Sequence, residues 1–176
     1  MRIDEPSIIR AVLEGYALRR DGIHGVAHWA RVLENGLRLA EETGADVAVV
    51  RLFALLHDSR RFDDGYDPDH GPRAADFART LRGRAFELPD PAFELLHRAC
   101  AGHTHERTHP DPTIQTCWDA DRLDLGRVGV TPRPSRLCTE AARRPETIRW
   151  AHRRASRWLV PDLVKDGWAI DLHDRA

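Results

Sequence analysis

The amino-acid sequence predicts an all-α protein, a helical bundle whose buried central helix carries a His-Asp pair at its end. Apolar residues recur at three- and four-residue spacing, and no segment alternates polar and apolar residues as a half-buried strand does. No repeat period is present. A chain of 176 residues has the length of one ordinary domain. We therefore expect a single domain over residues 1–176, with a core at about 24–129 and C-terminal helices at 134–160 that pack on it.

Two helices are predicted before the His-Asp pair. The first begins at Pro6 and its apolar periodicity extends to Ala17, whereas the second runs from about Gly25 to Thr43 and is followed by Gly44, a typical helix stop. One face of the second helix and the residue before it carry polar side chains at helical spacing, namely His24, His28, Arg31 and Asn35.

The third predicted helix begins near Asp46 and has almost no polar face. Its apolar residues are Val47, Val49, Val50, Leu52, Phe53, Leu55 and Leu56. Such a helix is expected to be buried on all sides. His57 and Asp58 follow it directly. Since burying an imidazole and a carboxylate without partners costs on the order of a few kcal/mol, this pair needs a proton, a positive charge or a metal ion.

Further helices are predicted to begin near residues 70, 90, 113 and 145, the last of them running to about residue 160. Between the His-Asp pair and the fourth helix, residues 61–72 are too rich in aspartate, glycine and proline for a regular element and form an acidic loop. The fifth helix ends in a histidine cluster, and residues 127–135 are predicted to be a loop.

Four residues are candidate metal ligands: His28, His57, Asp58 and Asp121. Neighbouring residues on a helix point about 100° apart, but at a helix end the short aspartate and the longer imidazole can converge on one ion. Two neutral nitrogens and two carboxylates suit Mn, Fe, Co, Ni or Mg better than they suit structural zinc, which prefers thiolates. We expect one tightly bound divalent ion.

The order and context of these residues resemble those of the HD superfamily of metal-dependent phosphohydrolases. The resemblance covers about residues 24–129 and rests on three motifs: H-x-x-R-V at His28, the L-L-H-D end of the buried helix, and D-A-D-R-L-D around Asp121. It implies hydrolysis of a phosphomonoester or phosphodiester in a small phosphorylated compound, commonly a nucleotide. Asp58 would then be both a metal ligand and a proton acceptor in catalysis.

One position departs from this pattern. Several HD nucleotidases carry a catalytic glutamate three residues after the aspartate of the His-Asp pair, and this chain has Arg61 there. Aspartates of the acidic loop are candidate replacements. Arg60 and Arg61 are candidate substrate-binding residues for a phosphate, and Arg61 also occupies the catalytic position, although a solvated pair of arginines is an equal alternative. Arg122 and Arg127 are weaker candidates.

Two alternative functions stay open, and the missing glutamate favours the first of them. The first is a catalytically degenerate HD domain that binds a metal ion or nucleotide as a sensor or partner module. The second is an iron-dependent HD oxygenase, which would need a diiron site.

His70 and His103 pose a separate question, because binuclear HD enzymes add histidines between the His-Asp pair and the last aspartate. The chain order of His70 and His103 fits that pattern. They are candidates either for contacts with the substrate or for a second ion. We expect a second ion to bind more weakly, because the carboxylates of Asp58 and Asp121 neutralise only one divalent ion.

Composition limits the partners and the compartment. The formal charge of -1, from 27 basic and 28 acidic residues, argues against nucleic acid as a partner. Three cysteines without C-x-x-C spacing favour a reducing compartment, and we expect a cytoplasmic protein. No apolar run approaches the roughly 18 residues that span a bilayer, so we expect no membrane partner.

Overall fold

The computed structural model describes residues 2–172, and over this range the prediction of an all-α fold is confirmed. The described residues form no strand beyond two isolated bridges, which pair Ile3 with Phe86 and Arg82 with Phe86. The α-helices are α1 (Glu5–Glu14), α2 (Val26–Thr43), α3 (Val47–Leu56), α4 (His70–Leu81), α5 (Asp90–Gly102), α6 (Pro112–Arg122), α7 (Glu140–Arg143), α8 (Pro145–Ser156) and α9 (Asp162–Asp166). Short 3-10 helices cover Leu123–Val128 and Pro134–Arg136.

Local sequence signals explain where the central helices begin and end. The carboxylate of Asp46 accepts hydrogen bonds from the backbone N–H groups of Ala48 and Val49, so it caps the start of α3. Asp111 does the same for α6, whose first residue is a proline. Gly44 ends α2 in the left-handed conformation, with φ 68°. That conformation is accessible to glycine at little cost.

Helix α3 lies at the centre of the bundle, as its sequence predicts. Eight of its ten residues are buried, and it packs against α1, α2, α4, α5 and α6. Gly36 allows α2 to approach closely, because a Cβ atom there would lie 2.5 Å from Cγ1 of Val50. His57 continues the helical hydrogen bonding for one residue through its N–H to Phe53, after which the chain turns.

Helix α4 is held against the end of α5 by a similar close approach. A Cβ atom at Gly71 would lie 2.6 Å from the carbonyl oxygen of Cys100, so only glycine fits there. This contact brings His70, the first residue of α4, next to His103, which caps α5.

The C-terminal part differs from its prediction. Helix α6 continues as the 3-10 helix Leu123–Val128, where a loop was expected from residue 127. The predicted helix to about residue 160 ends at Ser156, and α9 follows it. Helix α8 packs on the 3-10 helix and on α2. Among residues 2–172, no helix is long and apolar enough to cross a membrane.

Candidate metal centre

The four predicted ligands converge, although they come from α2, the end of α3 and α6. His28 Nε2 lies 3.1 Å from His57 Nε2. Asp58 Oδ2 lies 3.5 Å from each of these nitrogens, and Asp121 Oδ1 lies 3.5 Å from His28 Nε2 and 3.8 Å from His57 Nε2. Atoms that share one ion at bonds of about 2.1 Å are about 3.0 to 3.5 Å apart at neighbouring positions. The spacing of the His28, His57 and Asp58 atoms therefore fits a single ion, and Asp121 Oδ1 lies next to both imidazoles.

The orientation of His28 is set by a buried ion pair behind it. Asp124 Oδ2 accepts a hydrogen bond from His28 Nδ1 at 2.8 Å. The same carboxylate is held by Arg31, whose Nε and NH2 atoms donate at 2.7 and 3.0 Å. Because a carboxylate only accepts, the proton of His28 sits on Nδ1, and the lone pair of Nε2 points into the centre.

His57 has the same tautomer for a different reason. Its Nδ1 donates to the carbonyl oxygen of Phe53 at 3.1 Å, and burial lowers the pKa of His57 to about 3. The imidazole is therefore neutral at pH 7, with a lone pair on Nε2. Two nitrogen lone pairs that face each other at 3.1 Å repel unless a proton or a metal ion lies between them. The donor set thus fits a metal ion.

Both carboxylates of the centre are ionised at neutral pH. Burial favours the neutral form of Asp58, but the surrounding imidazoles of His57, His103, His28 and His70 hold its pKa well below the usual range. Burial also raises the pKa of Asp121, yet the neighbouring imidazoles and the positive charge of Arg127 lower it to about 2. Both carboxylates can therefore act as anionic metal ligands, and the catalytic role expected for Asp58 stays a prediction.

A second cluster forms around the other carboxylate oxygen of Asp58, Oδ1, and contains His70 and His103. Asp58 Oδ1 lies 3.2 Å from His70 Nε2 and 3.8 Å from His103 Nε2, and the two imidazole nitrogens are 2.9 Å apart. Backbone carbonyl oxygens of Asp67 and Cys100 accept from the Nδ1 atoms of His70 and His103. Both histidines that the sequence singled out therefore face Asp58. The group of His28, His57 and Asp58 could hold a metal ion, and so could the group of Asp58, His70 and His103.

A cavity of about 230 Å³ lies beside the two clusters, and Asp58, Asp121, His70 and His103 are the cluster members that line it. Its lining is polar and rich in charge, and consists of His24, Asp58, Arg61, His70, His103, Thr104, Asp121, Arg122 and Arg127.

The arginines near the centre differ in what they can bind. Arg61 is buried in the cavity lining. Arg127 also lines the cavity, and its buried NH1 has no hydrogen-bond partner. Arg60 points away, because its NH1 and NH2 atoms donate to the carbonyl oxygens of residues 11, 12 and 59 and its guanidinium lies over Phe77. The structure thus does not bring Arg60 to the site. Arg122 lines the cavity but is held by backbone carbonyl oxygens.

His24 connects the cavity to the acidic loop. Its Nδ1 lies 2.8 Å from Asp64 Oδ1, so the imidazole donates to this carboxylate and leaves Nε2 free to accept a proton. Burial lowers the pKa of His24, with Asp58 and Asp64 acting in the opposite direction. Asp67 is occupied elsewhere, since it binds Arg73 and the N–H of Phe62.

The sequence indicated Arg127 only as a weaker candidate for binding phosphate. The roles of three residues were missed: Arg31, Asp124 and His24. Two of them carry a recognisable signal. Arg31 and Asp124 each lie three residues after a predicted ligand, His28 and Asp121, which places them on the same side of a helical segment. Nothing in the sequence shows that these two residues contact each other.

Comparison with known proteins gives one informative result. No family model and no curated protein matches the chain. Among solved structures, the chain is similar to the crystal structure of a predicted HD superfamily hydrolase from an uncultured Thermotogales bacterium, with 25% sequence identity and a TM-score of 0.63. The match covers 90% of this chain and 91% of that chain. The similarity therefore concerns the whole bundle and not one pair of helices.

Proposed function

This chain is a member of the HD superfamily by its fold and by its His/His-Asp/Asp cluster, and on that premise we propose that it is a metal-dependent phosphohydrolase. The proposed substrate is a small compound with a phosphomonoester or phosphodiester group, such as a nucleotide. The observation that carries the proposal is the convergence of His28, His57, Asp58 and Asp121 next to a cavity that Asp58, Asp121 and three arginines line.

The size and charge of the cavity support a phosphorylated substrate. Its volume of about 230 Å³ is below the range of about 300 to 1,000 Å³ for pockets that enclose a whole drug-sized ligand. A phosphoryl group and the atoms next to it fit inside, and the rest of the substrate would extend outward. Arg61 and Arg127 provide the fixed positive charge that a phosphate dianion requires.

Different residues would have different roles in hydrolysis. A divalent ion at the four ligand atoms would supply Lewis acidity and lower the pKa of a water molecule. Arg61 and Arg127 would bind the phosphoryl oxygens and stabilise the charge that develops there. His24, neutral at pH 7 and backed by Asp64, is the group that we propose accepts the proton of the attacking water.

The decisive experiment is turnover of a panel of nucleotides and phosphomonoesters by purified protein supplied with Mn²⁺, Fe²⁺, Co²⁺, Ni²⁺ or Mg²⁺. Phosphate release that stops after treatment with EDTA and returns with metal supports the proposal. Binding of metal and nucleotide without release of phosphate would instead support the degenerate sensor domain. Oxygen consumption by an iron-loaded sample would favour the oxygenase.

Replacing Arg127 with alanine should weaken substrate binding. Arg127 lines the cavity, and its buried NH1 has no hydrogen-bond partner and only a 3.9 Å ion-pair contact with Asp124 Oδ2. A hydrogen bond to a charged group contributes about 1.5 to 3 kcal/mol. We expect KM to rise by about ten- to a hundredfold while metal content is unchanged. Arg133, an exposed arginine, provides the control variant Arg133→Ala. Equal KM values for the two variants would contradict the assignment.

The pH profile should report on His24. The neutral imidazole is the active form, and burial lowers its pKa below the ordinary value of about 6.5. Therefore kcat/KM should be lost as the pH falls through that lowered pKa. Asp64→Asn removes a negative charge that raises the pKa, so it should move this acid limb to still lower pH. His24→Gln should abolish the limb, and the exposed His105 provides the control His105→Gln. An acid limb that persists unchanged in His24→Gln would exclude His24.

A further inference from the structure

We propose that the guanidinium of Arg61 takes the place of a second divalent ion, so that this centre works with one metal ion and one arginine. The inference rests on the proposed function for the first ion, but it concerns only how many ions the protein binds. It bears on the cluster formed by Asp58 Oδ1, His70 and His103.

The position of Arg61 supports this assignment. Its NH1 lies 3.0 Å from His70 Nε2 and 3.7 Å from Asp58 Oδ1. These are two of the three atoms that would bind a second ion. NH1 also lies 3.2 Å from His70 Nδ1, so it is placed over the imidazole ring. The arginine therefore already provides a positive charge next to the same imidazole and the same carboxylate oxygen.

Arg61 is also held in this position. Its Nε donates to the carbonyl oxygen of Asp63 and its NH2 to that of Gly65, both at 2.9 Å. With two nitrogens bound to the backbone and the side chain buried, NH1 is directed at the cluster. A guanidinium does not lose its proton in a protein, so the charge is permanent.

Among residues 2–172, the cavity lining includes no carboxylate besides Asp58 and Asp121 that could offset a second divalent ion. Asp58 contributes its other oxygen to the first centre. In the acidic loop, Asp67 binds Arg73 and Asp64 binds His24. A second ion would thus share one carboxylate oxygen and two neutral imidazoles with an adjacent arginine. Charge repulsion disfavours that arrangement.

The two neighbouring arginines form a matched pair for a test. Arg60 has the same charge and is adjacent in sequence, but its guanidinium lies over Phe77 and binds backbone carbonyl oxygens of the first helix. We would titrate EDTA-treated protein with MnCl₂ by calorimetry, without substrate, in the parent and in Arg61→Met, Arg61→Lys and Arg60→Met. Circular dichroism would verify that each variant is folded.

We expect the parent, Arg60→Met and Arg61→Lys to bind one tight ion per chain, and Arg61→Met to bind two. The second ion should give a spin-coupled Mn²⁺ signal through the shared Asp58. His70→Ala in the parent background should leave the single ion in place, which tests the inference even if Arg61→Met does not fold.

Several outcomes would overturn the inference. Two tight ions in the parent would show that Arg61 does not exclude a second ion. A single ion in folded Arg61→Met would show the same. Loss of the ion in His70→Ala would show that the parent's ion binds in the cluster of Asp58, His70 and His103. A second ion in Arg61→Lys would assign the effect to the loop contacts of Arg61 and not to its charge. No Mn²⁺ uptake by any variant would instead contradict the metal centre of the proposed function.

Discussion

Replacing His57 with alanine should abolish tight metal binding and reduce hydrolysis to background. His57 Nε2 is one of four converging atoms and faces His28 Nε2 at 3.1 Å. Loss of a residue that only supports a ligand lowers metal affinity by about 10- to 100-fold, and loss of a ligand itself should exceed that range. Elemental analysis of purified protein, with turnover on the same sample, measures both effects. His28→Ala and Asp121→Ala should behave in the same way.

A second variant separates loss of the metal from loss of the fold. His57 is fully buried and stacks on Phe53, so its removal also leaves a cavity. Asp121→Asn conserves volume at a side chain that is 21% exposed, and should lose metal while it unfolds at nearly the parent temperature. His105→Ala is the control, since His105 is exposed and binds only the carbonyl oxygen of Pro68 among the contacts described. Full metal occupancy in the ligand variants would refute the centre.

The helical fold could be predicted because its determinants are local. Asp46 caps α3 and Gly44 ends α2, and both signals are visible within a few residues of the helix they limit. Helix α9, Asp162–Asp166, was not predicted because five residues are too few to establish a helical period. Of the 3-10 helix Leu123–Val128, only the last two residues fall in the predicted loop. This helix places Arg127 in the cavity lining.

The residues of the site could be proposed from sequence, but their contacts could not. His28, the His-Asp pair and Asp121 each stand at a recognisable place on a helix, whereas their convergence depends on how α2, α3 and α6 pack. The difference between Arg60 and Arg61 depends on the turn after α3, where adjacent side chains leave in different directions. The sequence does not distinguish Arg60 from Arg61. In the structure, only Arg61 of these two arginines lines the cavity.

Asp124→Asn should cause both a loss of stability and a loss of metal affinity. Asp124 and Arg31 are 1% and 2% exposed and form a hydrogen-bonded ion pair. Removing one partner of such a buried pair costs about 3 to 5 kcal/mol, because the other charge stays buried without its counter-ion. Asp124 also accepts from His28 Nδ1, so metal affinity should fall by about 10- to 100-fold. Urea unfolding in EDTA and competitive metal titration measure the two effects separately.

A double variant distinguishes the two roles of Asp124. Replacing a buried ion pair by apolar residues of similar volume is often neutral or stabilising, so Arg31→Met combined with Asp124→Leu should recover much of the free energy of unfolding that Asp124→Asn loses. Metal affinity should stay low, because His28 Nδ1 still has no carboxylate to fix its tautomer. Parent-like metal affinity in the double variant would show that Asp124 serves only to neutralise Arg31. An unchanged free energy of unfolding in Asp124→Asn would show that the ion pair contributes nothing to the fold.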